Sequence, residues 1–486
     1  MSEHNKKVAN ATKWSAVTEL MAKLITPITS IVLARLLTPE AFGIVATVTM
    51  IISFAEIFTD AGFQRYLIQH EFEDDTDKNS TTTVAFWSNL VLSIFLWGII
   101  AMFCNTLASF VGNPGLGYVI VIACASIPLA AFSSIQMALF KRDFDFKTLF
   151  YVRLAGILIP LIITVPLALY FRNFWALIIG TITVNTSNAV ILTLKSKWKP
   201  NWYYNFSKLK EMLSFSIWTM IDAVLVWATC YLDIFFIGMK LNSHYLGIYK
   251  TSISTVGQIT SILVAVVTPV LFSSLSRLQN NLEEFKKEIL KFQKGLGLLL
   301  MPLGVGIFFY SGLITQILLG NQWGEASEFI GIWGLMSAIT ILFSQFCSII
   351  YPTIGKPRLS VLAQTLHLIV LVPTIVISIN YGFRTLYISR SLVRIEAILV
   401  NMIITYVFIK LSAWKMIKNL LPELFASTIM GLVAYSLLMI NNSIVWSFMS
   451  VLICIIIYFT CIMQFTKEKR LVISIKDQLL QKIKWK

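Results

Sequence analysis

Charge is scarce in this chain. Asp, Glu, Lys and Arg make up 13% of its 486 residues, about half the ~25% of an average soluble domain. Histidine is scarcer still: His4, His70, His244 and His367 stand far apart. Six cysteines (Cys104, Cys124, Cys230, Cys347, Cys454, Cys461) show neither metal nor redox spacing. They read as small apolar fillers, and neither a metal nor a cofactor is expected. No phosphate-binding G-x-x-x-x-G-K-[ST] occurs, because Gly355-Lys356 has Ile350 where the first glycine belongs. That argues against ATP hydrolysis by this chain. Asp75-Thr76-Asp77 matches the loose D-x-D of metal-dependent glycosyltransferases, but it lies in the acidic stretch Glu71–Asp77 and reads as a solvated turn. The first apolar stretch lacks the core and cleavage site of a removable signal.

What the chain has is apolar length. Hydrophobic residues are 57% and mean hydropathy is +0.77. Fourteen apolar stretches of roughly 20 residues, enough to cross ~30 Å of hydrocarbon, run Trp14–Leu36, Ala41–Phe63, Thr81–Cys104, Leu116–Phe140, Leu149–Phe171, Phe174–Leu194, Met212–Gly238, Tyr245–Leu275, Phe292–Leu319, Phe329–Tyr351, Val361–Ile379, Leu386–Ile409, Leu421–Ile440 and Ile444–Phe465. The fold class is therefore an all-α polytopic membrane protein. Little length is left for a soluble domain.

Basic residues cluster in every second gap: Lys6/Lys7/Lys13, Arg65/Lys78, Lys141/Arg142/Lys147/Arg153, Lys195 to Lys210, Arg277 to Lys294, Lys356/Arg358, Lys410 to Lys418 and the tail after Lys467. The positive-inside rule then places both termini in the cytoplasm. The +15 net charge is spread over these loops. Its partner is expected to be the anionic lipid of the inner leaflet, at about 1 kcal/mol per basic residue, and not nucleic acid. The loop Arg277–Lys294 is expected to form an amphipathic surface helix.

A weak repeat divides the chain. Leu37-Thr38-Pro39-Glu40-Ala41-Phe42-Gly43-Ile44-Val45 lies over Leu241-Asn242-Ser243-His244-Tyr245-Leu246-Gly247-Ile248-Tyr249 without a gap. Each copy joins the first two spans of a six-span half, so the repeat would be parallel about an axis along the membrane normal. The expected divisions are 1–200, 201–415, two added spans in 416–466 and a basic tail in 467–486.

Several spans carry too much polarity for lipid. Ser15, Glu19, Lys23, Thr26 and Ser30 share one face of the first; Thr49, Ser53, Glu56 and Asp60 of the second. Asp222, Thr229 and Asp233 align in the seventh, and Lys250, Ser254 and Ser261 in the eighth. The twelfth carries Arg390 and Arg394 with Glu396 nearby. A charge at the bilayer centre costs about 3 kcal/mol or more, so such residues face a bundle interior or a watery cavity. Together they describe a hydrophilic cavity between two halves. Bland readings compete. Asp60 would be a wet helix end, Asp233 a partner for nearby backbone, and Glu19 and Lys23 a mutually neutral pair. Arg153 would snorkel, and His367 would be a satisfied core residue.

Ala11-Thr12-Lys13-Trp14-Ser15-Ala16, followed by Val32-Leu33-Ala34-Arg35-Leu36-Leu37-Thr38-Pro39-Glu40-Ala41-Phe42-Gly43, resembles the start of bacterial polysaccharide transporters of the Wzx type. So do Asp60-Ala61-Gly62 with Leu67-Ile68-Gln69, Leu232-Asp233 with Ile237-Gly238, Leu275-Ser276-Arg277-Leu278-Gln279 and Leu318-Leu319-Gly320-Asn321-Gln322-Trp323. The nearest resemblance is to the colanic-acid and teichuronic-acid exporters of the multidrug/oligosaccharidyl-lipid/polysaccharide exporter superfamily. One departure is Trp227-Ala228-Thr229-Cys230-Tyr231, which lacks the polar or basic residue expected before Leu232-Asp233. The resemblance implies two six-helix lobes in a V and two further helices. It also implies a flippase that moves an oligosaccharide repeat unit on undecaprenyl pyrophosphate across the inner membrane, for O-antigen, capsule or exopolysaccharide synthesis. Polysaccharide polymerase machinery would be a partner.

On that reading Lys23, Glu19, Lys250, Arg390 and Arg394 bind the headgroup. Asp222, Glu56, Asp60 and Asp233 are candidates for coupling to H⁺ or Na⁺. Two alternatives compete: a multidrug cation antiporter of the same superfamily, whose cavity should be acidic, and a membrane polymerase or ligase. The latter needs a large outer loop, and the longest here, Asn105–Gly115, is uncharged. No enzyme activity is expected.

Overall fold

The computed structural model describes residues 3–470 and residue 473, apart from Ala61, Gln279, Asn280, Pro357 and Asn442. Of the basic clusters named above, the side chains of Lys6 and Lys7 and most of the tail 467–486 lie outside the described residues. Among the described residues there is helix and no strand. With no water in the bilayer core, backbone polar groups must be satisfied within each segment, and a helix does this.

Among the described residues, thirteen helices are long and apolar enough to cross a membrane. They are Asn10–Leu36, Pro39–Asp60, Asp75–Met102, Gly117–Arg142, Phe146–Phe171, Trp175–Lys195, Met220–Lys240, Leu282–Phe309, Ala326–Thr353, Arg358–Tyr381, Phe383–Ile409, Leu421–Ile440 and Ile444–Ile462. A fourteenth, the eighth in order, is the pair Ser243–Ala265 and Val270–Leu278, bent by 48°.

Local chemistry sets the helix starts. The Asp74 carboxylate accepts from Asp77 N at 2.6 Å before the third span, and Asp145 accepts from Thr148 N at 3.1 Å before the fifth. Such caps satisfy amides that have no partner inside the helix. The D-x-D stretch is thereby part of a helix start, and Asp77 is held by the Lys208 ammonium at 2.6 Å.

The ninth span corrects the expected surface helix. Asn281 caps Glu284 N, and the helix runs unbroken from Leu282 to Phe309. Glu283 to Lys294 form its first turns rather than a separate element. No proline interrupts the stretch before Pro302, and Glu283 and Glu284 suit the positive end of the helix dipole.

Two compact units emerge, Met1–Lys250 and Thr251–Lys486. The seventh span packs inside the first unit: Trp227 Nε1 donates to Met50 O and Ser53 Oγ, and its ring lies 4.7 Å from Phe54. The two repeated hairpins also meet there. A Cβ at Gly43 would strike the Ser243 carbonyl, and one at Gly247 would strike the Pro39 carbonyl. Glu40 Oε1 and His244 Nδ1 are 2.5 Å apart. The Gly43–Ser243 and Gly247–Pro39 contacts are exchanged by the 204-residue repeat, and Glu40 and His244 are repeat-equivalent, as a local two-fold axis requires.

Lipid tails are as apolar as leucine, so helices associate through close packing of small residues and polar contacts. In the second unit, Gly304 faces Ala338 and Gly334 faces Ile307 with no room for a Cβ at either glycine. Outward faces keep large apolar side chains such as Phe95, Ile403 and Ile456 exposed.

Candidate functional site

The first unit contains two polar cavities. The smaller, about 460 Å³, lies among the second, third, fourth, sixth and seventh spans. Glu56, Asp60, Ser53, Asn89, Ser133, Ser134, Asn185 and Asn188 line it, together with Gln64 and Arg65. The larger, about 740 Å³, lies among the first, fourth, fifth and sixth spans and is lined by Ser15, Thr18, Glu19, Thr26, Ser30, Lys141, Arg153 and again Asn188. Met137 and Asn188 belong to both walls.

The short helix Phe63–Gln69 brings Gln64 and Arg65 to the smaller cavity. It starts at Gly62, whose φ of 76° favours a residue without Cβ. The Arg142 guanidinium clamps its far end by donating to Leu67 O and His70 O, both at 2.7 Å. Tyr66 OH donates to Glu211 Oε1 at 2.7 Å. Burial, and then the Glu211 carboxylate, hold that phenol well above its ordinary pKa, so Tyr66 stays a donor.

Acceptors dominate the smaller cavity. Asn89 Nδ2 donates to Ser134 Oγ at 2.6 Å and to Ala131 O at 3.4 Å, which leaves Asn89 Oδ1 buried without a partner. Asp60 Oδ1 and Asn188 Oδ1 are also buried and unpartnered. Buried polar atoms are almost always hydrogen-bonded, so three such acceptors around one cavity call for donors from outside the chain. By formal charge, Glu56 and Asp60 outweigh Arg65 in the smaller cavity, whereas Lys141 and Arg153 outweigh Glu19 in the larger.

The predicted residues divide accordingly. Glu56 and Asp60 share one cavity and Glu19 lines the other. Lys23 is half-buried outside both linings and makes no ion pair with Glu19. Asp222 is half-buried and also outside both linings, between Met220 and Ala223, which line the smaller cavity. Lys250 places its ammonium 5.1 Å from the Tyr231 ring centroid. Asp233 is 3% exposed; Tyr249 OH donates to it at 2.6 Å and Ile234 N at 2.8 Å.

Arg390 and Arg394 lie in the second unit. Their guanidiniums are 5.4 and 3.6 Å from the centroid of Trp333, and Arg394 donates to Ser337 Oγ at 2.6 Å. His367 Nδ1 is 2.8 Å from Glu396 Oε2. Among the described residues no cluster of His, Cys, Asp and Glu suits a metal ion.

Sequence reasoning missed Asn89, Ser133, Ser134, Asn185 and Asn188 as lining, took Lys141 for a loop charge and expected Arg153 to snorkel. A signal was present: Ser133, Met137 and Lys141 recur every four residues, and Asn185 and Asn188 are three apart.

Solved structures share the fold. The chain is similar to "Lipid II flippase MurJ, inward closed conformation" with TM-score 0.71 and 15% identity, over 93% of this chain and 98% of that one. It is also similar to an inward-facing multidrug resistance MATE family transporter of the MOP superfamily, with TM-score 0.62 and 13% identity over 83% and 99%. Among curated proteins it is 21% identical to the lipopolysaccharide biosynthesis protein WzxC of Escherichia coli (strain K12), over 89% of each chain. It is 22% identical to the succinoglycan biosynthesis transport protein ExoT of Rhizobium meliloti (strain 1021), over 70% of this chain and 68% of that one. The family model described as "Polysaccharide biosynthesis protein" matches residues 32–328, more than half of the sequence, and the chain belongs to that family.

Proposed function

We propose that this chain is a flippase that carries an undecaprenyl-pyrophosphate-linked oligosaccharide across the cytoplasmic membrane. The observation that carries this reading is the pair of polar cavities inside a bundle whose outer faces are apolar. Sugar hydroxyls and a pyrophosphate cannot cross hydrocarbon at a useful rate, because each unsatisfied polar group costs several kcal/mol there. A lined cavity replaces that barrier with hydrogen bonds and fixed charge, while the polyprenyl tail stays in lipid. No bond is made or broken. The family, and the transport roles in the names of ExoT and the lipid II flippase, support the same reading.

In the topology set by the basic loops, Asp60, Arg65, Lys141 and Arg153 stand toward the cytoplasm, so both cavities receive substrate from the side where it is made. A reporter fused after Lys418 should then be cytoplasmic and one after Asn441 outside; the reverse pattern would refute this orientation. The halves 1–200 and 201–415 would rock about the reciprocal hairpin contact between Gly43 and Gly247. Glu56 and Asp60 inside the lumen, and Asp222 beside it, are the carboxylates able to couple this motion to an ion gradient. A cation antiporter would need an acidic lumen; the smaller cavity has that balance, but the excess of Lys141 and Arg153 gives the larger one the opposite balance and disfavours that alternative.

The test is reconstitution. Purified protein in liposomes should move a labelled undecaprenyl-pyrophosphate glycan to the leaflet where an added membrane-impermeant glycosidase cleaves it. Cleavage that stays at the level of protein-free liposomes would overturn the proposal.

A further inference from the structure

The two cavities of the first unit differ in chemistry, and they share a wall at Met137 and Asn188. We propose that they are two subsites for one substrate: the larger takes the pyrophosphate, and the smaller takes the sugar bonded directly to it, which is an uncharged, hydroxyl-rich sugar rather than a uronic acid. This rests on the flippase reading above and adds a specificity to it.

The larger cavity carries Lys141 and Arg153 against the single carboxylate of Glu19. A guanidinium offers a planar fork and an ammonium a point charge, and both match phosphate oxygens. The smaller cavity has the opposite balance, Glu56 and Asp60 against Arg65. Its unmet needs are all of one kind. Asp60 Oδ1, Asn89 Oδ1 and Asn188 Oδ1 are buried acceptors without donors. A sugar hydroxyl is a donor that fits each of them. A uronate would bring two further acceptor oxygens and a negative charge to a site already rich in both. Leaving buried acceptors unpaired, or facing like charge, is what makes a polar site reject the wrong ligand strongly. Because the cavities adjoin, the sugar recognised is the one next to the phosphate; sugars further out are not selected by these residues.

The experiment measures binding of three defined lipids to the full-length protein in detergent: undecaprenyl pyrophosphate, its glucosyl derivative and its glucuronosyl derivative. The wild type should bind the glucosyl lipid about tenfold or more tighter than the sugarless lipid, and the glucuronosyl lipid no tighter than the sugarless one. Lys141→Gln with Arg153→Gln should weaken all three by a common factor. Asn188→Leu should remove the gain from glucose. Asp60→Asn keeps the shape, removes one negative charge and supplies a donor, so it should admit the glucuronosyl lipid; a melting temperature equal to the wild type's shows that it is folded. Equal binding of the glucosyl and glucuronosyl lipids by the wild type would overturn this inference alone. So would sugarless binding unaffected by the Lys141/Arg153 change. Binding of none of the three lipids would overturn the flippase reading together with it.

Discussion

Two sets of charged side chains, one in each unit, are handled in opposite ways. In the second unit, Arg394 lies against Trp333 and Ser337, and His367 against Glu396, while Glu423 is buried with both carboxylate oxygens unpartnered. One cavity of that unit, about 510 Å³, is walled almost wholly by apolar side chains such as Leu298, Ile314 and Phe448, and charged ones such as Arg277, Glu284 and Lys287 line another, about 800 Å³. In the first, Glu56 and Asp60 face open space, with lone acceptors beside them. Equal polarity in sequence therefore yields a cross-link around Trp333 and a polar cavity around Glu56 and Asp60. What separates them is whether a neighbouring helix supplies the complementary group.

The largest expected effect breaks the first unit's side of that contrast. Lys141→Gln with Arg153→Gln should lower export by roughly ten- to a hundredfold, since a hydrogen bond to a charged group is worth about 1.5–3 kcal/mol. Protein amount should hold, because both side chains line a cavity and neither is buried. Immunoblot and surface-glycan assays on the same cells check both halves of the statement.

The equivalent change in the second unit should act on folding. Arg390→Gln with Arg394→Gln removes two cations from the face of Trp333, each contact worth about 0.5–2 kcal/mol, and strands Ser337. A lower melting temperature and reduced folded yield are expected. Normal stability with lost lipid binding would instead place both arginines in the substrate path.

Intermediate in size is the hairpin contact. Gly43→Val forces a branched side chain against the Ser243 carbonyl and should cost about 1–3 kcal/mol, read as a fall in melting temperature. Val at Gly98, which has open space around its Cβ position, should cost much less. Asp222→Asn should spare lipid binding and abolish accumulation against a gradient. If the variant transports normally while both ion gradients are collapsed, coupling comes from consumption of product outside. The smallest effect belongs to Glu40 and His244, which are half-exposed: His244→Gln should change stability by no more than about 1 kcal/mol.

The membrane spans were legible in the sequence because length and hydropathy are local properties; Leu421–Ile440 falls on the same residues in both readings. The ninth span was misplaced by ten residues at its start because the charged turns after Asn281 look like a surface loop when read alone. The lumen was only partly legible. Glu56, Asp60 and Glu19 announced themselves by charge. Asn89, Asn185 and Asn188 did not, since single amides are common in helices that bury them. Asp233 carried the same signal as Asp60, yet Tyr249 caps it, a contact sixteen residues away that no periodicity reveals.

Asn188, the residue common to both cavities, gives the most direct test of the lumen as the substrate path. In a chain with its native cysteines replaced, Asn188→Cys should react with a membrane-impermeant thiol reagent added on the cytoplasmic side. That modification should stop flipping, and saturating undecaprenyl-pyrophosphate glycan should protect the thiol. A thiol that reacts equally fast with and without the lipid, or whose modification leaves flipping intact, would contradict the account.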